Sequence, residues 1–363
     1  MPRRAPTLAA FAALGLFWGA WASVLPSVQR ATNISKGTLG FALLFVTLAA
    51  IPTMLFLAGP LVDRFGVRAV TLTCFAFAAA TTLPGLATSL PWLILTLAVT
   101  GAATGSMDVA VNASAARIEK VGGRKLMPLA HGLYSVGVFA GAIGAGIARG
   151  AGANREEILL AVSAVIALTA LWTATDSEPV SSPESHSLRF SRVLIAIGLI
   201  GAAAFVIEGG VESWSALFLE RQLHAHPAVS GLGPGFFGGS MALGRFYGQT
   251  ARFADRTLLA GGAVLAAAGC VVVATAPSSA VALVGIALAG AGVSLNAPIV
   301  FGAGGRRSAT AVATVTTLGY AGLLVGPPLV GGVAQASSLR VSFGVLAGLA
   351  AFVAVAATRA RIE

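Results

Sequence analysis

The 363-residue sequence is 56% hydrophobic and 10% charged, with a mean hydropathy of +0.87. Soluble domains carry about 25% charged residues, and 13 acidic plus 23 basic side chains cannot cover a soluble protein of this length, so its surface must face lipid. The net charge of +10 does not point to nucleic acid, because the basic residues stand singly between apolar runs and form no stripe.

A hydrocarbon core about 30 Å thick needs about 20 apolar residues per helix, and twelve such spans are predicted in chain order. The first, 8–29, follows Arg3 and Arg4; it is too long for a signal-peptide core, ends in no clear cleavage site and reads as a membrane span. It carries Trp18 and Trp21, which either wall a substrate site or pack against neighbouring helices. The second, 37–60, runs into a loop, Gly59–Arg68, holding Asp63, Arg64 and Arg68. The third is 69–87 and the fourth 91–116; the fourth bears Asp108 and, one turn on along the same face, Asn112, and ends at Arg117. His131 opens the fifth, 127–149, either as a gate or proton relay or as a hydrogen-bonded helix start; the sixth is 156–174.

The segment 175–191 is rich in Ser, Pro and Glu and has no periodicity, so it reads as a cytoplasmic linker between two bundles, 1–174 and 192–363. The seventh span, 192–219, places Glu208 and Glu212 four apart, with Ser215 continuing that face and Trp214 beside it as a substrate wall or an interfacial residue. The eighth, 229–251, contains Arg245, and the ninth is 257–276. The tenth, 279–302, carries Asn296 at about the depth of Asp108. The eleventh, 309–334, contains Tyr320 and Pro327-Pro328, which are expected to bend or break it; the twelfth is 339–358. Cys74 and Cys270 lie within apolar runs without ligand spacing and read as packing residues.

With the N-terminus cytoplasmic, sixteen basic residues fall inside and six outside (Arg30, Lys36, Arg149, Arg155, Arg221 and Arg340). That asymmetry fits the positive-inside rule and predicts both termini in the cytoplasm. The halves also resemble each other. Gly101–Arg117 and Gly290–Arg306 share length, a Gly-Ala start and an Arg end, and the Asp63-Arg64 pair recurs 192 residues later as Asp255-Arg256. Parallel repeats of this kind suit transporters whose halves rock about a midplane site.

The run Gly59–Arg68, G-x-x-x-D-R-F-G-x-R, resembles motif A of the major facilitator superfamily. The runs IEGGVESWSALFL, MDVAVNA, LAHGLYSVG and LGYAGLLVGPPLVGG resemble its MosC-like branch, which includes YbjJ-type inner-membrane proteins. The resemblance implies an all-α major facilitator fold with two pseudo-symmetric six-helix bundles and a cavity lined by the first, fourth, seventh and tenth helices. It also implies that Asp63, Arg64 and Arg68 latch one state, with Arg117 as the local partner of Asp63. The branch usually has an acid adjoining its Trp-Ser-Ala run, whereas here Glu212 stands two residues before Trp214.

An ionisable residue at mid-membrane costs about 2.5–3.5 kcal/mol on insertion scales, which makes each one a functional candidate. Two carboxylates four residues apart in low dielectric cannot both ionise cheaply, so Glu208 and Glu212 are candidate proton carriers, with Asp108 as a second site. Asn112, Trp214, Ser215, Asn296, Tyr320, Trp18 and Trp21 are candidate substrate contacts. The chain holds no Walker A sequence for ATP drive, no HExxH and no nucleophile–base set, so no enzyme activity, metal or cofactor is expected. The expected function is a monomeric secondary transporter in a bacterial inner membrane, moving a small polar solute with proton coupling. Proton-antiport efflux of a lipophilic cation and a non-transporting receptor on the same fold remain as alternatives.

Overall fold

A computed structural model of the protein describes residues 4–66, 68–122, 126–174, 191–248, 250, 252–307 and 309–360. Almost all of the expected linker, together with Arg3, Arg124, Lys125, Arg189 and Arg361, lies outside the described residues. The first half contains α1 (Arg4–Thr32), α2 (Lys36–Phe65), α3 (Arg68–Thr81), α4 (Leu90–Gly122), α5 (Met127–Gly150) and α6 (Arg155–Thr173). The second contains α7 (Arg192–Gln222), α8 (Leu232–Gly248), α9 (Asp255–Thr275), α10 (Ser279–Val293, resuming as Asn296–Gly305), α11 (Ala309–Ala336) and α12 (Leu339–Arg359).

Among the described residues, eleven helical stretches are long and apolar enough to cross a membrane, and α8, at 17 residues, is slightly shorter. Many large apolar side chains, Phe56, Leu168 and Leu243 among them, point out of the bundle, as a lipid-facing surface allows. Local chemistry sets the helix starts. Asn154 and Glu157 form a reciprocal capping box on α6, and Ser35, Ser191, Ser278 and Ser338 each accept a backbone N–H three residues on.

The two halves repeat one packing scheme. In the first, α1 packs on α5, α2 on α4 and α3 on α6; in the second, α7 packs on α11, α8 on α10 and α9 on α12. Between halves, α5 lies along α8, α2 along α11, and α1 against α7. These contacts depend on glycine at two close approaches. A methyl group on Gly231 would stand 2.5 Å from the Gly146 Cα, and one on Gly40 would stand 2.6 Å from the Pro327 carbonyl oxygen. Both approaches seal the end of the bundle opposite the chain termini. At the terminus end, α5–α8 is the only extensive contact between halves among the described residues.

Three expectations about the helices are corrected. The Gly59–Arg68 run is not wholly loop: helix continues through Phe65, and the π-helical stretch Thr53–Ala58 lies directly before Pro60, which has no N–H to donate back into the preceding turn. The α4 helix continues to Gly122, since leaving the hydrocarbon does not end a helix whose polar residues water can solvate. Pro327-Pro328 does not break α11, which runs unbroken from Ala309 to Ala336. Pro327 cannot donate to the Leu323 carbonyl, and Thr47 Oγ1 on α2 stands 3.5 Å from that oxygen, a long contact from the opposite half.

Candidate functional site

A cavity of about 300 Å³ lies between the halves. Its α7 wall is Phe205, Glu208, Gly209, Glu212 and Ser213, one face of a helix at three- and four-residue steps. Opposite stands the α1 face, Phe11, Leu14, Trp18 and Trp21. Asp108 enters from α4, His131 and Tyr134 from α5, Arg245 from α8, Phe301 from α10 and Tyr320 from α11. The helices that join the two halves, α2, α5, α8 and α11, therefore line the cavity alongside the four helices expected to do so.

The charges are unevenly satisfied. Glu208 and Arg245 form an ion pair at 3.6 Å, with side chains 15% and 10% exposed. Arg245 also reaches across to the first half, donating from Nη1 to the His131 carbonyl at 3.2 Å and to Ser135 Oγ at 2.6 Å. Asp108 accepts one hydrogen bond, from Asn112 Nδ2 at 3.1 Å; the same amide donates to the Asp108 carbonyl at 2.8 Å. The Glu212 carboxylate has no hydrogen bond or ion pair among the described residues, its backbone carbonyl alone accepting from Ser215 Oγ at 3.3 Å. Three carboxylates thus face one guanidinium. Tyr134 stands within the electrostatic reach of all four charged groups, and Tyr320 within that of Asp108 and Glu208. Phe205, Phe301 and Tyr320 form an aromatic cluster with centroids 5.9–6.4 Å apart, and the His131 ring meets Phe11 edge-on at 5.4 Å.

Of the sequence candidates, the structure gathers Glu208, Glu212, Asp108, Trp18, Trp21, His131 and Tyr320 around one cavity. Four others lie elsewhere. Ser215 has the right angular position on α7 but lies one turn too far along, where α8 closes over it: a methyl on Gly233 would stand 3.1 Å from its Cβ. Trp214 faces away, fully buried against Gly331 of α11, its indole N–H without a partner among the described residues. Asn296 is buried beside a small void behind Phe205 and Ala297. Asn112 spends its amide on Asp108 and does not line the cavity.

Asp63, Arg64 and Arg68 are exposed at the α2–α3 junction, and Arg117 lies near the end of α4, all remote from the cavity. In the second half, the repeat counterparts of Asp63 and Arg117 are Asp255 and Arg306, and these form an ion pair at 2.8 Å.

A second charged cluster was not expected. At the sealed end, Glu220 of α7 accepts from both Arg30 of α1 and Arg149 of α5, the latter at 2.8 Å. Arg149 also donates to the Ser23 carbonyl at 2.7 Å, to Ser27 Oγ at 3.1 Å and to Ser230 Oγ at 3.1 Å, while Ser230 donates to Glu220 at 3.1 Å. The one available signal was an acid at the outer end of α7 level with two basic residues that run against the positive-inside count.

The sequence profile of the Major Facilitator Superfamily matches residues 7–308. An uncharacterized MFS-type transporter of Yersinia pestis is 34% identical, covering 97% of this chain and 94% of the relative. Membrane protein MosC of Rhizobium meliloti is 30% identical, over 90% and 82% respectively. Among solved structures, a bacterial homologue of the human lysosomal transporter Spinster, in an inward-facing and occupied conformation, aligns with a TM-score of 0.72 at 19% identity, covering 98% of this chain and 96% of that one. The nucleoside transporter NupG aligns at 0.76 with 14% identity, over 99% of both chains.

Proposed function

The chain belongs to the major facilitator superfamily, and on that premise we propose that it moves a small polar solute across the bacterial cytoplasmic membrane by alternating access, coupled to protons at Glu208. As a multi-pass membrane transporter it is not an enzyme, so the cavity is read as a translocation chamber. The basic asymmetry assigns the terminus end to the cytoplasm, which makes the sealed end the outer one and the conformation inward-facing.

One observation carries the coupling: Arg245 is shared between Glu208 on its own half and the His131 carbonyl and Ser135 Oγ on the other. The groups around Glu208 are Arg245 from α8, Glu212 one turn away, Asp108 from α4, His131 and Tyr134 from α5, and Tyr320 from α11. A proton on Glu208 removes the only formal negative charge paired with Arg245, leaving the guanidinium with two neutral acceptors on α5. The strength of the α5–α8 contact then depends on the charge of Glu208, and a ligand that biases one charge state biases one arrangement of the halves. Asp63, Arg64, Arg68 and Arg117 act remotely in this reading, holding the terminus ends of α2–α4 when that side closes; their repeat counterparts Asp255 and Arg306 are paired in the present conformation.

The test is flux into proteoliposomes of a solute found by thermal-shift screening. Glu208→Gln is expected to abolish accumulation driven by a pH gradient while leaving counterflow exchange. Unchanged accumulation would remove Glu208 as the coupling site.

A further inference from the structure

We infer that the transported solute is a small organic amine whose ammonium pairs with Glu212 between the aromatic walls of the cavity. The inference takes the transport reading above as given and names its substrate class.

Three features of the cavity bear on it independently. The first is charge balance. Glu208 already has Arg245, whereas Glu212, one turn along the same face, has no partner among the described residues although it borders the cavity. Asp108 has a single hydrogen bond, from a neutral amide. The two glutamates cannot both ionise cheaply in a low-dielectric chamber, and a cationic ligand beside Glu212 lowers that cost where a neutral one does not.

The second is the wall. Trp18 and Trp21 on one side, and Tyr134, Phe205, Phe301 and Tyr320 on the others, line the same cavity as the acids. Aromatic faces attract ammonium groups through their quadrupoles, most strongly when water is excluded, and they add nothing comparable for a hydroxyl. The cavity's one guanidinium, Arg245, is committed to Glu208, Ser135 and a carbonyl, and many of the remaining side-chain donors are carried by the aromatic walls themselves, on Trp18, Trp21, Tyr134 and Tyr320.

The third is size. About 300 Å³ is the lower limit for ligand pockets, which run to about 1,000 Å³. That space suits a compact amine.

The assignment separates two roles among neighbouring acids: Glu208 reports protonation to Arg245, and Glu212 holds the cargo. Binding and coupling can therefore be broken apart. Purified protein in detergent would be titrated with a graded series of amines, from methylammonium through tetramethylammonium to tyramine, each beside its uncharged alcohol or alkane analogue. Isothermal calorimetry supplies affinity, and Trp18 and Trp21 supply a fluorescence signal.

At least one amine is expected to bind about tenfold or more tightly than its neutral analogue, and Glu212→Gln to weaken that amine about tenfold or more. Glu208→Gln is expected to retain amine binding. Glu156→Gln, partly exposed in the first turn of α6 and remote from the cavity, controls for general effects of losing an acid. Folding of each variant is checked by its melting transition, and Glu212→Asp, which keeps the charge, is expected to retain selectivity for amines. The inference is overturned if no amine outbinds its neutral analogue, or if Glu212→Gln leaves amine affinity unchanged. Amine-selective binding without proton-driven flux would sink the coupling reading and leave this one standing. Proton-driven flux of a neutral polyol without amine binding would do the reverse.

Discussion

The protein holds two clusters of buried charge between the same two halves, and they are built on opposite plans. At the sealed end, Glu220 receives two arginines and a serine hydroxyl, and Arg149 spends its donors on Glu220, two serine hydroxyls and a carbonyl. In the central cavity, three carboxylates share one arginine and one amide, and one of the three has neither. A buried ion pair is tolerable when its remaining donors and acceptors are matched, and expensive otherwise. The saturated cluster is therefore built as a clasp at the sealed end, and the unsaturated one is, under the proposals above, a site for cargo and protons to complete.

The sharpest way to break this comparison is to unpair the clasp. The Arg149 and Glu220 side chains are 3% and 7% exposed. Arg149→Met leaves Glu220 with only half-exposed Arg30, and the expected loss is about 3 kcal/mol, the low end for breaking a buried pair. Melting of the detergent-solubilised protein reads it as a clear downward shift. Adding Glu220→Met should restore most of the loss, because two long apolar side chains replace the pair without leaving a charge behind. A double variant as unstable as the single would mean that the serine and carbonyl bonds, rather than the pair, hold this end together.

That clasp was the least legible part of the molecule in the sequence, and the reason is physical. Arg30 and Arg149 fall near span ends, where single basic residues are ordinary, and Glu220 ends a helix 190 residues from Arg30. Periodicity reports neighbours along a helix and is blind to partners brought together by packing. The same limit hid the Glu208–Arg245 pair, although both residues were noticed separately. What periodicity does report came through well: twelve spans, the repeated halves, and the α7 face bearing Glu208 and Glu212. It failed at Ser215 because an angular pattern has no depth, and the cavity ends one turn before that residue. The Asp255–Arg306 pair was legible through the repeat, since both positions copy Asp63 and Arg117 by offset even though the surrounding motif has degenerated.

The opposite test concerns the unsaturated cluster. If Glu212 is kept for cargo at a cost to the fold, Glu212→Gln should raise the melting temperature of ligand-free protein, by an amount corresponding to about 1 kcal/mol. The amide has the shape of the carboxyl and no charge to desolvate. The same substitution is expected to weaken amine binding about tenfold or more, so stability and function move in opposite directions at one position. A fall in melting temperature of the size seen for Arg149→Met would put Glu212 in the clasp's class and remove the contrast.

The smallest effect belongs to Arg30, and it tests whether saturation or mere proximity makes the clasp. Arg30 touches the same carboxylate as Arg149, yet its side chain is 46% exposed, so water already solvates much of its charge. Exposed pairs contribute about 0–1 kcal/mol, and salt screens them. Arg30→Ala should therefore lower the melting temperature slightly at low ionic strength and barely at high, whereas the Arg149→Met shift should persist in salt. Equal and salt-insensitive shifts at both arginines would show that Glu220 needs two full counter-ions. The clasp would then be an excess of positive charge gathered on one acid, the mirror image of the cavity's excess of acids around one arginine, and its opening would require an anion as the cavity's filling requires a cation.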